Sequence, residues 1–185
     1  MSTNETERFT GDDLLVAEGI TKRYKETLAN QDVSVGIPRG KIVGFVGENG
    51  SGKTTFIRIL CGLIKPTAGT FRFCTNDGTC RIGAVVESPA YQPAMSAADN
   101  LRFEARLCGA DESRIPEILN IIGLGDTGKK HAKKFSLGMR QRLGIGIALL
   151  SDPELLILDE PTNGLDPQGI VELRGVLKRL TVDIL

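Results

Sequence analysis

Gly47-Glu48-Asn49-Gly50-Ser51-Gly52-Lys53-Thr54 satisfies G-x-x-x-x-G-K-[ST] at every fixed position, and its reading decides the fold. Upstream runs Lys41-Ile42-Val43-Gly44-Phe45-Val46, apolar and β-branched enough to predict a buried strand. Downstream, Phe56, Ile57, Ile59 and Leu60 recur at helical spacing. The motif therefore stands between a strand and a helix, where a phosphate loop belongs. Glycines at 47, 50 and 52 allow a tight turn that brings backbone N–H groups near an anion. The helix after it contributes the positive end of its dipole. Lys53 is expected to reach the β- and γ-phosphates, and the Thr54 hydroxyl to ligate Mg²⁺. The competing reading, a glycine-rich turn that binds nothing, leaves the correct context on both sides unexplained. The stretch predicts binding of a nucleoside triphosphate.

Composition has the balance of a soluble globular protein and excludes several other classes. The 185 residues suffice for one core, with 41% apolar and 25% charged residues. Lys+Arg and Asp+Glu balance at 23 each, so no overall field recruits nucleic acid or acidic lipid. The longest uncharged apolar run, Leu143 to Leu150, is too short to cross a bilayer. Nothing at the start resembles a signal peptide; residues 1–13 read as a polar tail, and the chain is expected to stay in the cytoplasm. Cys61, Cys74, Cys80 and Cys108 form no C-x-x-C pair, and a single histidine accompanies them, which argues against zinc. Cys74 and Cys80 flank the turn signal Asn76-Asp77-Gly78 and are placed to face each other across a hairpin. A disulfide there would be unusual in a reducing compartment, so all four read as buried or half-buried thiols.

Working outward, Leu14 to Ala17, Val33 to Ile37, Gly69 to Phe73 and Ile82 to Val86 read as strands. Tyr24 offers a flat, polar-tipped face before the loop, on which adenine can stack, although alone it reads as an ordinary strand-end aromatic. Glu87 sets a carboxylate at a strand's C-terminal end, where open α/β sheets bind ligands. Ser96 to Asp99 resembles a capping box opening a helix to about Leu107. A second helix is expected over roughly Ser113 to Ile122, with Pro116 in its first turn. Two helices without a strand between them predict a helical insertion. The basic run Lys129 to Lys134 lacks aromatics and reads as solvated loop, which makes its His131 a poor catalyst. Ser136 is a good N-cap for the helix that follows, and with Gly138 makes either a second phosphate cradle or a plain helix start.

Leu155-Leu156-Ile157-Leu158 predicts a buried parallel strand that ends in Asp159 and Glu160. Neighbours on a strand point to opposite sides, so the two acids are expected to do different work. Asp159 suits the Mg²⁺ shell, and Glu160 suits orienting or deprotonating the attacking water. A last helix is expected from about Gln168 to Leu180, with Ile170, Val171, Leu173, Val176 and Leu177 on one apolar face.

With these parts in order, the chain from Leu14 to Leu180 resembles the nucleotide-binding subunit of ATP-binding cassette (ABC) transporters. The resemblance implies an α/β, three-layer P-loop NTPase fold. It comprises a mainly parallel central sheet, an N-terminal antiparallel β part and a small helical subdomain at about 88–137, within a nucleotide-binding domain at 14–185. It implies ATP and Mg²⁺ as ligands. Tyr24 stacks on adenine, and Gly47, Glu48, Asn49, Gly50, Ser51, Gly52, Lys53, Thr54 and Thr55 hold the phosphates. Thr54, Glu87 and Asp159 serve the metal, and Glu160 is the catalytic base. Ser136 and Gly138 stand at the signature positions that meet the γ-phosphate bound to a second subunit, and Asp166 lies in the loop that also meets that partner. The implied unit is a head-to-tail dimer on separate transmembrane permease subunits, at the inner face of the plasma membrane, with no nucleic acid.

Glu87 in place of the usual glutamine, the signature Phe135-Ser136-Leu137-Gly138-Met139, and Thr162-Asn163-Gly164-Leu165-Asp166-Pro167 look like bacterial bacitracin-resistance and lantibiotic-immunity exporters. Family members carry a switch histidine after one further helix and strand; this chain ends before it, and His131 precedes the Asp-Glu strand. A fragment or a truncated product is therefore expected, with an exposed sheet edge and reduced hydrolysis. The alternatives are a soluble ABC-type ATPase acting on ribosomes or DNA, which usually has tandem cassettes or long coiled coils, and a non-functional remnant.

Overall fold

The computed structural model describes residues 12–180 and 182–185, so residues 1–11 of the expected tail lie outside it. Asp13, the tail's last residue, is already a buried strand residue. Two units emerge: residues up to Cys80 together with Asp183–Leu185, and Arg81–Val182.

In the first unit, β1 (Asp13–Tyr24) pairs antiparallel with β2 (Thr27–Pro38) on one side and β3 (Ala68–Phe73) on the other. The expected short strands grow into twelve-residue ones because irregularities absorb the breaks in apolar alternation. The register shifts between Ala17 and Ile20, where Gly19 takes φ 63°. Leu14, Leu15, Val16, Ala17, Ile20 and Ile37 are buried here. The helix after the glycine loop, α1 (Lys53–Leu60), buries Phe56, Ile57, Ile59 and Leu60, the residues its periodicity picked out.

The expected buried strand at Lys41 to Val46 needs correction. It is reduced to one parallel bridge, Ile42 to Ile184 of the short β6 (Asp183–Ile184), with Val43 N–H donating to the Ile184 carbonyl at 2.8 Å. Ile42 is 61% exposed and Val46 93% exposed. A strand is buried on both faces only where neighbours flank it and helices cover it. Within its unit this segment pairs with β6, and Phe45 stacks on Phe56 at 5.2 Å.

In the second unit, β4 (Ile82–Val85) and β5 (Leu155–Leu158) pair in parallel, with Val85 opposite Leu158. All four β5 residues are buried, as their unbroken apolar run requires. Between these strands run α2 (Ala97–Cys108), a 3₁₀ turn at Glu112–Arg114 leading into α3 (Ile115–Ile121), and α4 (Leu137–Ala148). Pro116 falls in the first turn of α3, where its missing N–H costs nothing. The Ser96 hydroxyl accepts from the Asp99 N–H at 3.1 Å and donates to the Asp99 carboxylate at 2.6 Å. α5 (Pro167–Leu177) follows β5, ending earlier than expected and burying Leu173 and Val176 while Val171 faces solvent.

The cysteine reading also needs correction. The Asn76-Asp77-Gly78 turn forms, but β3 ends at Phe73 in one unit and β4 begins at Ile82 in the other, so no hairpin joins Cys74 and Cys80. Cys74, just past the end of β3, and Cys108, the last residue of α2, are exposed; Cys61 and Cys80 are half-buried.

Candidate functional site

The glycine loop is built from three constraints. Gly52 precedes α1 at φ 91° and ψ 9°, a left-handed conformation that side chains disfavour. A Cβ on it would come within 2.0 Å of the Ala29 carbonyl oxygen, so only glycine fits against β2. Its own carbonyl accepts twice, from Phe56 N–H at 2.9 Å and from the Asn30 side-chain amide at 3.1 Å. Both lone pairs are thereby used, and the carbonyl is turned into the structure. Lys53 Nζ lies over the loop, donating to the carbonyls of Gly47 at 2.8 Å and Glu48 at 2.9 Å. Gly50 takes φ 82° with nothing near its missing side chain, leaving the mouth of the loop open. Residues 47–51 are exposed, and Gly52, Thr54 and Thr55 are half-buried. An exposed glycine loop carrying one ammonium and opening a helix is an anion site in its donor chemistry.

Tyr24 closes β1 at the hairpin tip, 43% exposed, with Lys22 Nζ 5.0 Å from its ring centroid. Its ring is reachable, and the cation sits against it.

The remaining expected site residues belong to the second unit. The parallel pairing of β4 and β5 brings their C-terminal ends side by side, and Asp159 N–H donates to the Val85 carbonyl at 2.9 Å. Glu87, two residues past Val85, thus emerges at the same sheet edge as Asp159 and Glu160. Asp159 is 7% exposed, whereas Glu160 is exposed. The two part company because Glu160 takes φ 47°, turning the chain sharply at the strand end. Glu87 shares this left-handed conformation at φ 62°. Non-glycine residues held there store strain, which collects at functional sites. Asn163 braces the turn: its side-chain amide donates to Glu160 Oε2 at 3.3 Å and its N–H to the Glu160 carbonyl at 3.0 Å.

A cleft of about 310 Å³ holds Ser136, Gly138 and Asp166 together. Ser136 caps α4, accepting from Met139 N–H at 3.2 Å, and Asp166 caps α5, accepting from Gly169 N–H at 3.0 Å. Two helix N-termini therefore face one space, each adding positive potential. The two helix starts lie close: a Cβ on Gly138 would stand 3.8 Å from Gly169 Cα, ordinary van der Waals contact.

Sequence reasoning missed Asn30 and Asn163. A buried asparagine within a strand is against β preference, and that was the available signal for Asn30. The pairing of Asn163 with Glu160 had none beyond their closeness in the chain.

A loop that admits only glycine before its lysine, and a buried strand handing over an aspartate and a glutamate, define a P-loop nucleoside-triphosphatase. Residues 30–163 match the ABC transporter family. The chain belongs to that family, as an ATP-binding cassette.

It is 44% identical over 170 residues to the lantibiotic transport ATP-binding protein SrtF of Streptococcus pyogenes, covering 89% of this chain and 74% of that one. It is 47% identical over 169 residues to the bacitracin transport ATP-binding protein BcrA of Bacillus licheniformis, covering 87% of this chain and 55% of that one. Among solved structures, cbiO1 from Clostridium perfringens, part of the ABC transporter complex cbiONQ, superposes with a TM-score of 0.79 at 28% identity, over 94% of this chain and 77% of that one. The ADP conformation of MJ1267, an ATP-binding cassette of an ABC transporter, shares the fold with a TM-score of 0.80 at 24% identity, over 94% of this chain and 80% of that one. The P-loop fold, with its antiparallel N-terminal sheet, parallel strands and helices, is the expected one. No helix among the described residues is long and apolar enough to cross a membrane.

Proposed function

We propose that this chain hydrolyses ATP to drive a bacterial exporter of antimicrobial peptides, of the kind the bacitracin and lantibiotic transport proteins serve. In this reading two copies pair head to tail on transmembrane permease subunits at the inner face of the plasma membrane. The observation that carries it is the cleft where Ser136 and Gly138 meet Asp166: two capped helix N-termini face one open space and suit the phosphates of a nucleotide held by another copy.

The roles follow from the chemistry of each residue. Tyr24 stacks on adenine. The loop from Gly47 to Thr55 surrounds the phosphates with N–H groups, and Lys53 exchanges its loop carbonyls for phosphate oxygens. Thr54, Asp159 and Glu87 offer the hard oxygen donors that Mg²⁺ prefers. When bound, Mg²⁺ neutralises charge on the phosphate oxygens. Glu160 is exposed beside buried Asp159 and held by Asn163; it orients the attacking water and accepts its proton. Phosphoryl transfer asks mainly for positioning and charge, and a loop fixed by Gly52 and Asn30 provides both before the nucleotide arrives.

Affinity purification of the tagged chain from its native membranes tests this reading. A polytopic permease should co-purify, more of it when ATP is present. Recovery of ribosomal RNA or DNA in its place would overturn the exporter assignment.

A further inference from the structure

Arg142 lies on α4, six residues past the Ser136 cap, and its side chain is only 13% exposed. A guanidinium withdrawn from water requires oxygen partners. It has three. Nη2 meets Glu172 Oε2 of α5 at 3.0 Å, and Nη1 donates to the carbonyls of Ile122 at 3.0 Å and Gly123 at 3.2 Å. Those carbonyls are the open acceptors at the C-terminal end of α3. Gly123 takes φ 63°, and a Cβ there would stand 3.0 Å from Nη1, so glycine leaves room for the grip. Arg142 Nε is buried with no hydrogen-bond partner among the described residues. Glu172 is held from its other side, where Gln168 Nε2 donates to Oε1 at 3.2 Å, and it lines the cleft with Ser136, Gly138 and Asp166.

One guanidinium thus joins three helices, and two of them carry the opposing walls of the cleft. Packing of α4 beside α5, with Gly138 near Gly169, does not by itself fix how far one helix slides along the other. A directional charge pair does fix it, because its oxygens and nitrogens tolerate little displacement.

We infer that Arg142, through Glu172, is a positioning residue that sets the Ser136–Gly138 helix start in register with Asp166, and so shapes the surface offered to a nucleotide bound by a second copy. This rests on the head-to-tail reading above. Arg142 acts through Ser136 and Asp166, not on the nucleotide itself.

The test uses the full chain with Glu172→Gln, Arg142→Lys and the double variant, each checked for folding by circular dichroism and melting. Glu172 is 42% exposed, so its amide folds without a buried vacancy, and lysine keeps the charge while losing the two-carbonyl grip. ATP affinity of the separated chains, by calorimetry, should stay within about twofold of the parent, since the phosphate loop belongs to the other unit. ATP-driven pairing, by sedimentation, should weaken about tenfold in Glu172→Gln, with kcat falling and KM for ATP little changed. In the double variant the losses should combine to less than their product, as for contacting residues. Folded single variants that pair and turn over like the parent would overturn the inference alone. A parent that binds ATP but never pairs would overturn the head-to-tail reading and this inference with it.

Discussion

Placing alanine at Gly52 probes the loop at its tightest point, and the structure gives the size of the effect. The first cost is conformational: at φ 91° a side chain adds about 1–2 kcal/mol of left-handed strain. The second is steric. The new Cβ would stand 2.0 Å from the Ala29 carbonyl oxygen and 2.7 Å from the Asn30 side-chain nitrogen, so backbone and amide must both retreat. Overpacking of this kind costs about 1–3 kcal/mol. Gly52→Ala should therefore destabilise the first unit by about 2–5 kcal/mol and break the Asn30 bond that orients the loop. Gly50→Ala is the control: φ is 82° there, but nothing lies within 4 Å, so only the conformational cost of about 1–2 kcal/mol applies. Urea denaturation of the two variants, paired with ATP calorimetry, separates the contributions. Gly52→Ala should be the less stable and should lose measurable ATP binding. A Gly52→Ala chain as stable as Gly50→Ala, with parental affinity, would refute the steric argument for the loop.

Lys53→Ala removes the ammonium seated over the loop carbonyls, and calorimetry should show ATP affinity falling by about a hundredfold or more, as expected for a charge-assisted contact. Glu160→Gln keeps the shape of the turn but not the base; it should bind ATP normally while kcat drops by about 10²–10⁴, measured by phosphate release. Ser96→Ala should cost about 1 kcal/mol through the lost cap of α2. It should also change a titration. The Ser96 hydroxyl, and then the Arg102 guanidinium, hold the Asp99 carboxyl below its ordinary value of 3.8. A carboxyl lowered on folding stabilises the fold above pH 3.8 and loses that stabilisation as pH falls through its folded value. Carbon-detected NMR should therefore find Asp99 titrating at a higher pH in Ser96→Ala than in the parent.

The features legible beforehand are those fixed by neighbours in the chain. The phosphate-loop spacing, the serine caps at 96 and 136 and the four apolar residues before Asp159 each carry their reason within about ten residues. Lys41 to Val46 shows the limit: its composition promises a buried strand, but burial depends on distant segments, and among the described residues of its unit it bridges to Ile184 alone. Likewise β1 runs through Gly19 because a bulge there preserves the pairing, a choice made by two partner strands. The acidic pair was legible as two residues with different work, whereas the left-handed turn at Glu160 that separates them was not. Asn30 and Arg142 act through partners that only the folded chain brings close, and Asn163 through a neighbour whose turn geometry only the folded chain sets.

Mixing two inactive variants tests the shared site most directly. Lys53→Ala disables the phosphate loop, and Gly138→Asp puts a carboxylate at the cleft where a phosphate is expected. If two copies pair head to tail, a mixed dimer holds one doubly damaged site and one intact site, made from the loop of one chain and the cleft of the other. Neither variant alone should release phosphate above background, and the mixture should recover it. A silent mixture of two folded variants, or Gly138→Asp turning over like the parent on its own, would contradict the account.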